Sequence, residues 1–499
     1  MEIKLTKATF FFFITTILLT SLANGQSKAT EYDIVITGGR VIDPETKLDA
    51  IKNVGIIQNR IAQISSEPLK GKQTINATGL VVSPGFIDLH IHGRTNKEQE
   101  YQLHDGLTTA LELEWGIENL KEWYASRQSK ALINYGASVN WPYERFKTIE
   151  KYQESVSKLY QLSLKGESTI TEMTNTIQPA KDEILTQDQI DQTLTNIKAS
   201  LAEGGIGIGV PIGYLPKTNP KEMYQVFQLA GQQHALVFSH VREPNIISIQ
   251  EVIANATLTN APLHIVHINS MTLGNIQLGL DMVKDAQNNG QDITTELYPY
   301  TAASTGLQSA IFSDGWEERL GISYSDLQWV ETGERLTEET FKKYRERGGL
   351  VIIHMMKPEW IKIGIKAQDV MIGSDGMPYA PMAHPRTAGT FSRVLGKYVR
   401  EEKVIDLNSA IEKMTLLPAK RLEGISPMMR LKGRIQIGAD ADITIFNPNT
   451  IIDKATFENG LAFSEGIEFV IVNGIIVLKN GKTINDTFPG QPVFGKFKN

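Results

Sequence analysis

Two stretches near the ends of the chain share an alternation of apolar and polar residues. In residues 32–65, β-branched residues alternate with polar ones between Gly-Gly and Asp-Pro turns, and the same texture returns in residues 433–448 and 469–482. A period of two predicts short antiparallel strands that bury one face. We therefore predict one small β-sandwich built from both chain ends, residues 31–83 and 426–485.

The central part, residues 84–425, has a different rhythm, in which short apolar segments alternate with longer stretches of helical periodicity. Eight such segments occur: FIDLHIH, TTALELE, INYGASVN, GIGIGVPIG, ALVFSHV, PLHIVHI, ITTELYPY and VMIGSD. Eight strands separated by helices are what a parallel (β/α)8 barrel of the TIM type requires. Between the seventh and eighth strands, residues 306–369 are too long for an ordinary connection and predict an inserted lid.

Residues 1–25 have the pattern of a secretory signal peptide. Lys4 and Lys7 precede an apolar run that ends at Leu22, and small residues follow up to Gly25. The run is shorter than the roughly 20 residues that a membrane-spanning helix needs. We predict cleavage near Gly25 and export to the periplasm or the medium, with no stable membrane span afterwards. A retained membrane anchor is the alternative.

Composition narrows the classes of function. The hydrophobic fraction of 41% and the charged fraction of 21% are those of a globular protein, and a net charge of -6 provides no basic surface for nucleic acid. The chain has no cysteine, which excludes disulfides and thiolate ligands. Any metal must therefore be held by imidazole and carboxylate. The composition leaves the oligomeric state open.

Polar side chains stand at the carboxyl ends of the predicted strands, where (β/α)8 barrels carry their chemistry. His90 and His92 face the same side of one strand and can bind one divalent cation together. Such a pair alone is more typical of two structural, hydrogen-bonded histidines. His240, His267 and Asp375 at other strand ends add imidazoles and a carboxylate, which favour a catalytic Zn²⁺ site with one or two ions. Glu112 and Glu114 also stand at the end of a predicted strand.

These groups predict hydrolysis of a linear or cyclic amide. A metal lowers the pKa of a bound water to roughly 7, so that metal-bound hydroxide can act as the nucleophile. Asp375 can accept the proton of that water and pass it to the departing nitrogen, as general base and then general acid. The alternatives are a dipeptidase or a cyclic-amide hydrolase on the same barrel and, more distantly, a noncatalytic exported binding protein with a structural metal.

Longer motifs carry a specific resemblance. They follow one another from about residue 33 to residue 480 and include PGFIDLHIHG, SHVRE, PLHIVHINS, ELYPYTAAST, IGSDGMP, HPRTAGTFSRVLGKYVRE, KMTLLPAKRL and GADADITIFNP. The chain thereby resembles the amidohydrolase superfamily and, within it, the D-aminoacylase group of N-acyl-D-amino-acid deacylases. This resemblance implies that a small N-acyl amino acid is the substrate. It also implies that His90 and His92 bind the more buried metal, that His240 and His267 bind the second, and that Asp375 is ligand and general base.

One segment departs from the pattern of that group. Where the best-known members have a cysteine after the second strand, this chain has Trp115. Glu114 is the nearest anionic replacement and is the predicted bridging ligand. Glu112, one pleat deeper on the same face, is either a further ligand or a buried partner of an arginine or lysine. A variant of this kind resembles the deacylases labelled as acting on N-acyl-D-glutamate.

The resemblance also implies a site for the substrate carboxylate. It places Arg386 there, and a planar guanidinium is a suitable partner for a carboxylate. Tyr298 or Tyr300, together with Ser304 in the following loop, are the candidate hydroxyl groups. Packing at the top of the barrel is the alternative for either tyrosine.

Two further positions bear on the substrate. Arg242, two residues beyond His240, is predicted to contact either a substrate carboxylate or Glu114. Many relatives have a lysine two residues beyond the histidine of the sixth strand, whereas this chain has Asn269. One positive contact to an acidic side chain is therefore missing.

Overall fold

The computed structural model describes residues 31–165, 170–377, 380 and 382–498. The predicted signal peptide, residues 1–25, lies outside the described residues. Among those that are described, no helix is both long and apolar enough to cross a membrane.

Twenty strands follow one another along the described chain: β1 (Glu31–Asp43), β2 (Leu48–Ile57), β3 (Arg60–Ser65), β4 (Lys70–Asn76), β5 (Val81–Pro84), β6 (Phe86–Asp88), β7 (Leu107–Ile117), β8 (Asn134–Asn140), β9 (Ile208–Pro211), β10 (Val237–His240), β11 (Leu263–Ile265), β12 (Ile293–Leu297), β13 (Ala303–Gly306), β14 (Leu327–Trp329), β15 (Leu350–Ile353), β16 (Val370–Ile372), β17 (Ile443–Phe446), β18 (Ile467–Val472), β19 (Ile475–Lys479) and β20 (Lys482–Thr483).

The described residues also form sixteen α-helices: α1 (Asn96–His104), α2 (Leu120–Arg127), α3 (Trp141–Phe146), α4 (Gln153–Lys165), α5 (Ile170–Ile177), α6 (Gln187–Ala202), α7 (Pro220–Gln233), α8 (Ile246–Thr259), α9 (Ile268–Thr272), α10 (Ile276–Asn288), α11 (Trp316–Leu320), α12 (Glu338–Arg347), α13 (Pro358–Lys366), α14 (Arg386–Arg393), α15 (Leu407–Met414) and α16 (Leu416–Glu423). A π-helical segment, Val394–Glu401, continues α14.

Both chain ends contribute to one nine-stranded sheet, in the order β20-β19-β18-β17-β5-β1-β2-β3, with β4 beside β1. The strands predicted as a small β-sandwich are thus joined edge to edge, and the antiparallel pair of β5 and β17 connects the two ends of the chain. As the period-two pattern of the sequence predicts, alternate residues of these strands face the same side. Alternate residues of three strands fill a separate core: Ile34 and Ile36, Val54 and Ile56, Ile443 and Ile445.

The predicted (β/α)8 barrel is confirmed. All eight predicted segments form parallel strands, and β6 to β12 followed by β16 pair in sequence order. Every residue of β8 is buried, because helices cover the outside of the barrel while side chains fill its interior. A bridge between Ile91 and Gly376 joins the edges beyond β6 and β16, where the His92 N–H donates to the Gly376 carbonyl at 2.7 Å.

Local signals in the sequence fix where several barrel helices begin. Thr95 caps α1 and Glu98 returns a hydrogen bond to it, and the same reciprocal pattern of Thr186 and Gln189 starts α6. Asn219 caps α7, with a proline in its first turn. These caps separate each helix from the strand that precedes it.

The insertion after β12 is a compact unit with its own sheet. Antiparallel strands in the order β13-β15-β14, together with α11 and α12, enclose a core that includes Trp316, Trp329 and Phe341. The unit lies over the mouth of the barrel, where the hydroxyls of Thr305 and Tyr214 are 2.8 Å apart. The residues predicted as a lid therefore form one wall of the cavity described next.

Candidate metal centre

Four histidines and two carboxylates meet at the carboxyl ends of the barrel strands. Their ligand atoms form two groups, and within each group all atoms lie within 4.8 Å of one another. The first group comprises His90, His92, Glu114 and Asp375, and the second comprises Glu114, His240 and His267. All six predicted side chains are therefore close enough to share one or two cations.

Glu114, on β7, connects the two groups. Its Oε2 atom is 3.0 Å from Nε2 of both His90 and His92. Its Oε1 atom is 2.8 Å from Nδ1 of His240 and 3.4 Å from Nε2 of His267. One carboxylate oxygen thus faces each group, which is the geometry of a bridging ligand.

Asp375 completes the first group from the last barrel strand. Its Oδ1 atom is 3.2 Å from Nε2 of His92 and 3.5 Å from Nε2 of His90. The backbone of Asp375 has a φ of 52°, and that of His267 has a φ of 35°. A left-handed backbone is uncommon for residues with side chains and persists where the surrounding structure enforces it, often at functional sites.

The nitrogens of His90 and His92 that point away from the cluster are held by two other carboxylates. Nδ1 of His90 is 2.5 Å from Glu296, and Nδ1 of His92 is 3.1 Å from Glu112. Each carboxylate accepts the Nδ1 proton, which leaves the lone pair of Nε2 directed at the cluster. Glu112 is therefore a hydrogen-bond partner of His92 and lies outside both ligand groups.

This arrangement fits a divalent cation. Unprotonated imidazole nitrogens would face carboxylate oxygens at about 3 Å, and two such acceptors repel each other unless a cation or proton lies between them. Burial alone lowers the pKa of His90, but the charges of Asp375, Glu296 and Glu114 raise it to about 10. Burial raises the pKa of Glu114, yet the adjacent imidazoles of His90 and His240 hold it well below its usual value. A buried set of imidazoles and carboxylates suits zinc.

Three residues predicted to bind substrate meet beside the cluster. The Arg386 guanidinium donates from Nη2 to Asp375 at 2.9 Å and stacks on the Tyr298 ring at 4.6 Å. Among the described residues, no well-aligned hydrogen-bond partner exists for Nε and Nη1 of Arg386, the Tyr298 hydroxyl or the Ser304 hydroxyl. Buried polar atoms are nearly always paired, so these unpaired groups indicate a place for a polar ligand.

The structure corrects the prediction for Tyr300. Its hydroxyl lies 3.2 Å from the carboxylate of Asp453, and its ring stacks on Arg393 at 4.5 Å. The chain turns after β12, so that Tyr298 lines the cavity while Tyr300 points toward the C-terminal segment. Tyr298 is therefore the candidate hydroxyl of the pair.

The structure also corrects the prediction for Arg242. Although this side chain lines the cavity, its guanidinium does not contact Glu114 and is not available to a substrate carboxylate. Its guanidinium forms a two-point pair with Glu251 of α8, with distances of 2.6 and 3.0 Å, and donates to the carbonyls of Pro216 and Thr218. A fork of two parallel hydrogen bonds explains why Arg242 turns to Glu251.

Glu296 is the residue that the sequence analysis missed. It lies in β12, where it contacts both His90 and, at 3.3 Å, Nε2 of His264. The available signal was an acidic residue inside a predicted barrel strand, because a carboxylate is rarely buried there without a partner.

We expect Glu296→Gln to weaken zinc binding by about 10- to 100-fold, because it loses the carboxylate that orients His90. The measurement is competition with a chromophoric chelator, with thermal unfolding of the metal-free protein as the check on folding. Glu222→Gln is the matched control, since Glu222 is equally buried but pairs with Arg145 at 3.0 Å, outside the ligand groups. Equal zinc affinity in the Glu296 and Glu222 variants would contradict the orienting role.

Comparison with known proteins supports the resemblance seen in the motifs. No family model matches the chain. D-aminoacylase of Alcaligenes xylosoxydans xylosoxydans is 27% identical over 474 residues, which cover 90% of this chain and 95% of that protein. N-acyl-D-glutamate deacylase of the same organism is 28% identical over 473 residues, which cover 89% of this chain and 93% of that protein.

A solved structure shows the same fold. The crystal structure of N-acyl-D-glutamate deacylase from Bordetella bronchiseptica, complexed with zinc and a phosphonate inhibitor, has a TM-score of 0.78 to this chain. The match covers 93% of this chain and 100% of that one, at 24% identity. The predicted resemblance is confirmed: over most of its length the chain is similar to D-aminoacylase and to N-acyl-D-glutamate deacylase, and it has the (β/α)8 fold of the solved deacylase structure.

Proposed function

We propose that this protein is a zinc-dependent amidohydrolase that removes the acyl group from N-acyl-D-amino acids. One observation carries the proposal: a buried cluster of imidazoles and carboxylates lies next to the unpaired polar atoms of Arg386, Tyr298 and Ser304. An N-acyl amino acid carries an amide and a carboxylate only a few bonds apart, and these two sites match the two groups. The D configuration is supported by the names of the relatives of similar length.

Different residues of the chain bind the metal, transfer the proton and orient the proton acceptor in the proposed reaction. Glu114 and the four histidines would hold one or two zinc ions, with Asp375 as a further ligand. A bound zinc ion lowers the pKa of water and polarises the amide carbonyl. Asp375 accepts the proton of the attacking water and delivers it to the departing nitrogen. Arg386, at 2.9 Å, keeps this carboxylate ionised and fixes its orientation.

The same guanidinium links the reacting groups to substrate recognition. Nη2 of Arg386 is directed to Asp375, while Nε and Nη1 have no well-aligned hydrogen-bond partner among the described residues, which leaves them available to the α-carboxylate. The Tyr298 and Ser304 hydroxyls supply further donors for it. Anchoring the carboxylate there would hold the amide at the cluster, and such positioning accounts for a large part of enzymatic rate acceleration.

We expect the zinc-loaded protein to hydrolyse N-acetyl-D-amino acids in preference to their L enantiomers, to dipeptides and to cyclic amides. Removal of the metal with a chelator should abolish turnover, and zinc should restore it, because the histidines lose the ion that they hold. The measurement is product amine formation across the four substrate classes. Cleavage of dipeptides or cyclic amides alone would instead identify one of the two alternative hydrolases.

Asp375→Asn is the matched inactive variant for this assay. It keeps the size of the side chain but removes the group that accepts the proton, so turnover should fall by at least about 100-fold. Metal analysis of the variant separates a lost proton acceptor from a lost ion. A zinc-loaded variant with an unchanged rate would remove Asp375 from the mechanism.

We expect Arg386→Lys to raise KM by about tenfold, the cost of losing one charge-assisted hydrogen bond of about 1.5 kcal/mol. Arg393→Lys is the control, because Arg393 lies two helical turns further along and pairs with Asp453 at 2.7 Å. Steady-state kinetics on an N-acetyl-D-amino acid measure both variants. Equal KM values in the two variants would show that Arg386 does not bind the carboxylate.

We also propose that the protein is exported to the periplasm or the medium. The support is the sequence of residues 1–25, in which two lysines precede an apolar run. Mass spectrometry of the protein from its native cells should find a mature N-terminus near residue 26. A full-length chain that still carries the apolar run would indicate a membrane anchor.

A further inference from the structure

One buried histidine of the motif HPRTAGTFSRVLGKYVRE has no part in the metal cluster or in the proposed chemistry. His384 lies just before α14, and its side chain is fully buried. It belongs to neither group of ligand atoms. A buried imidazole needs partners for both of its ring nitrogens, so its contacts indicate what it does in the fold.

The two ring nitrogens of His384 connect two segments of the chain. Nε2 lies 2.9 Å from the Ala302 carbonyl, which can only accept, so Nε2 is the donor. The backbone N–H of Arg386, which can only donate, is directed at Nδ1 at 3.1 Å. These two partners select one neutral tautomer of the ring. Burial holds the pKa of His384 well below its usual value, and the charge of Arg386 lowers this pKa further, so the ring stays neutral.

The hydrogen bond from Arg386 fixes the start of α14. Arg386 is the first residue of this helix, and the first N–H groups of a helix have no partner within it. The preceding residue is Pro385, whose side chain has no acceptor. His384 supplies the acceptor instead. The imidazole therefore determines where the backbone of Arg386 lies, and with it the position from which the guanidinium extends.

The hydrogen bond to Ala302 fixes the segment that carries the other two groups of the carboxylate site. Ala302 lies between Tyr298 and Ser304 in the sequence. The hydroxyls of these two residues are unpaired among the described residues, as are Nε and Nη1 of Arg386. The His384 ring also packs edge-on against Tyr298, with ring centroids 6.3 Å apart. One imidazole thus contacts both segments that contribute to the proposed carboxylate site.

We propose that His384 is a positioning residue for the substrate carboxylate: it holds Arg386 against the segment of Tyr298 and Ser304, so that the three groups meet at one carboxylate. This inference rests on the proposed function, which assigns the α-carboxylate to these groups. His384 is not among the described residues that line the cavity, so it acts through Arg386 and Tyr298. Its loss should weaken binding equally in the ground state and the transition state, which raises KM and leaves kcat unchanged.

The first test uses the zinc-loaded variant His384→Phe and the N-acetyl-D-amino acid that the unmodified protein cleaves fastest. Phenylalanine keeps an aromatic ring against Tyr298 but removes both hydrogen bonds. KM should rise about tenfold, as expected for the loss of buried hydrogen bonds. Both kcat and zinc content should change by less than about twofold.

His104→Phe is the matched control. His104 is also buried, and its Nε2 lies 3.0 Å from the Thr483 hydroxyl, so the substitution again removes a hydrogen bond. Its ring stacks on Phe463, in the C-terminal part of the chain. KM of this variant should equal that of the unmodified protein. An equal rise in KM in the two variants would assign the effect to the loss of any buried histidine and would overturn the inference.

A double variant separates positioning from a general loss of packing. If His384 acts through Arg386, adding His384→Phe to Arg386→Lys should leave KM close to that of Arg386→Lys alone, because the anchor is already weakened. Independent effects would multiply to a rise of about 100-fold in KM, and that result would exclude the positioning role.

His384→Asn tests the two hydrogen bonds separately. Asparagine places Oδ1 near the position of Nδ1, so it keeps an acceptor for the Arg386 N–H and loses the donor to Ala302. KM should rise about threefold, less than in the phenylalanine variant. This variant decides the question if the phenylalanine variant does not fold. Unchanged KM in a folded, zinc-loaded His384 variant overturns the inference and leaves the proposed function intact, whereas no turnover of any N-acetyl-D-amino acid by the unmodified protein overturns both.

Discussion

The structure depends on Glu114 and on the buried negative charge that it brings into the barrel. Its two carboxylate oxygens face two separate groups of imidazoles, so one residue of β7 determines the relative position of four side chains at the ends of three other strands. Buried carboxylates without a compensating cation are strongly unfavourable. The negative charge of the cluster therefore selects for a divalent ion. Glu112 and Glu296, which orient His92 and His90, add further buried negative charge around the cluster.

Arg386 connects the metal cluster with the proposed binding site of the substrate carboxylate. It offsets part of the charge of Asp375 and retains two unpaired donors in a buried position. The contrast with Arg393 shows how local partners decide the role of a residue. Both arginines lie on α14, where Arg386 stacks on Tyr298 and Arg393 stacks on Tyr300. Arg393, however, already forms an ion pair with Asp453.

The insertion gives the cavity a chemical character that the barrel alone would not provide. The barrel strands end in charged and polar groups, whereas the insertion has its own apolar core and presents further apolar residues to the cavity. The metal cluster and the apolar wall of the cavity therefore belong to different structural units. Loops above a (β/α)8 barrel can change in this way without disturbing the catalytic residues below them.

The sequence by itself determined the barrel, its eight strands and the candidate ligands. Period-two alternation and apolar runs are local properties, and the carboxyl ends of parallel strands must meet at one face of the barrel. His90, His92, Glu114, His240, His267 and Asp375 could be named for this reason.

Only the tertiary structure decided which hydrogen-bond partners the remaining polar side chains have. Arg242 turns to Glu251, Tyr300 to Asp453 and Glu112 to His92, while Glu296 reaches His90 across 206 positions of the chain. Strand patterns report which face a side chain occupies but not which of several nearby partners offers the better hydrogen bonds. That choice depends on distances between residues far apart in the sequence, and these distances exist only in the folded chain.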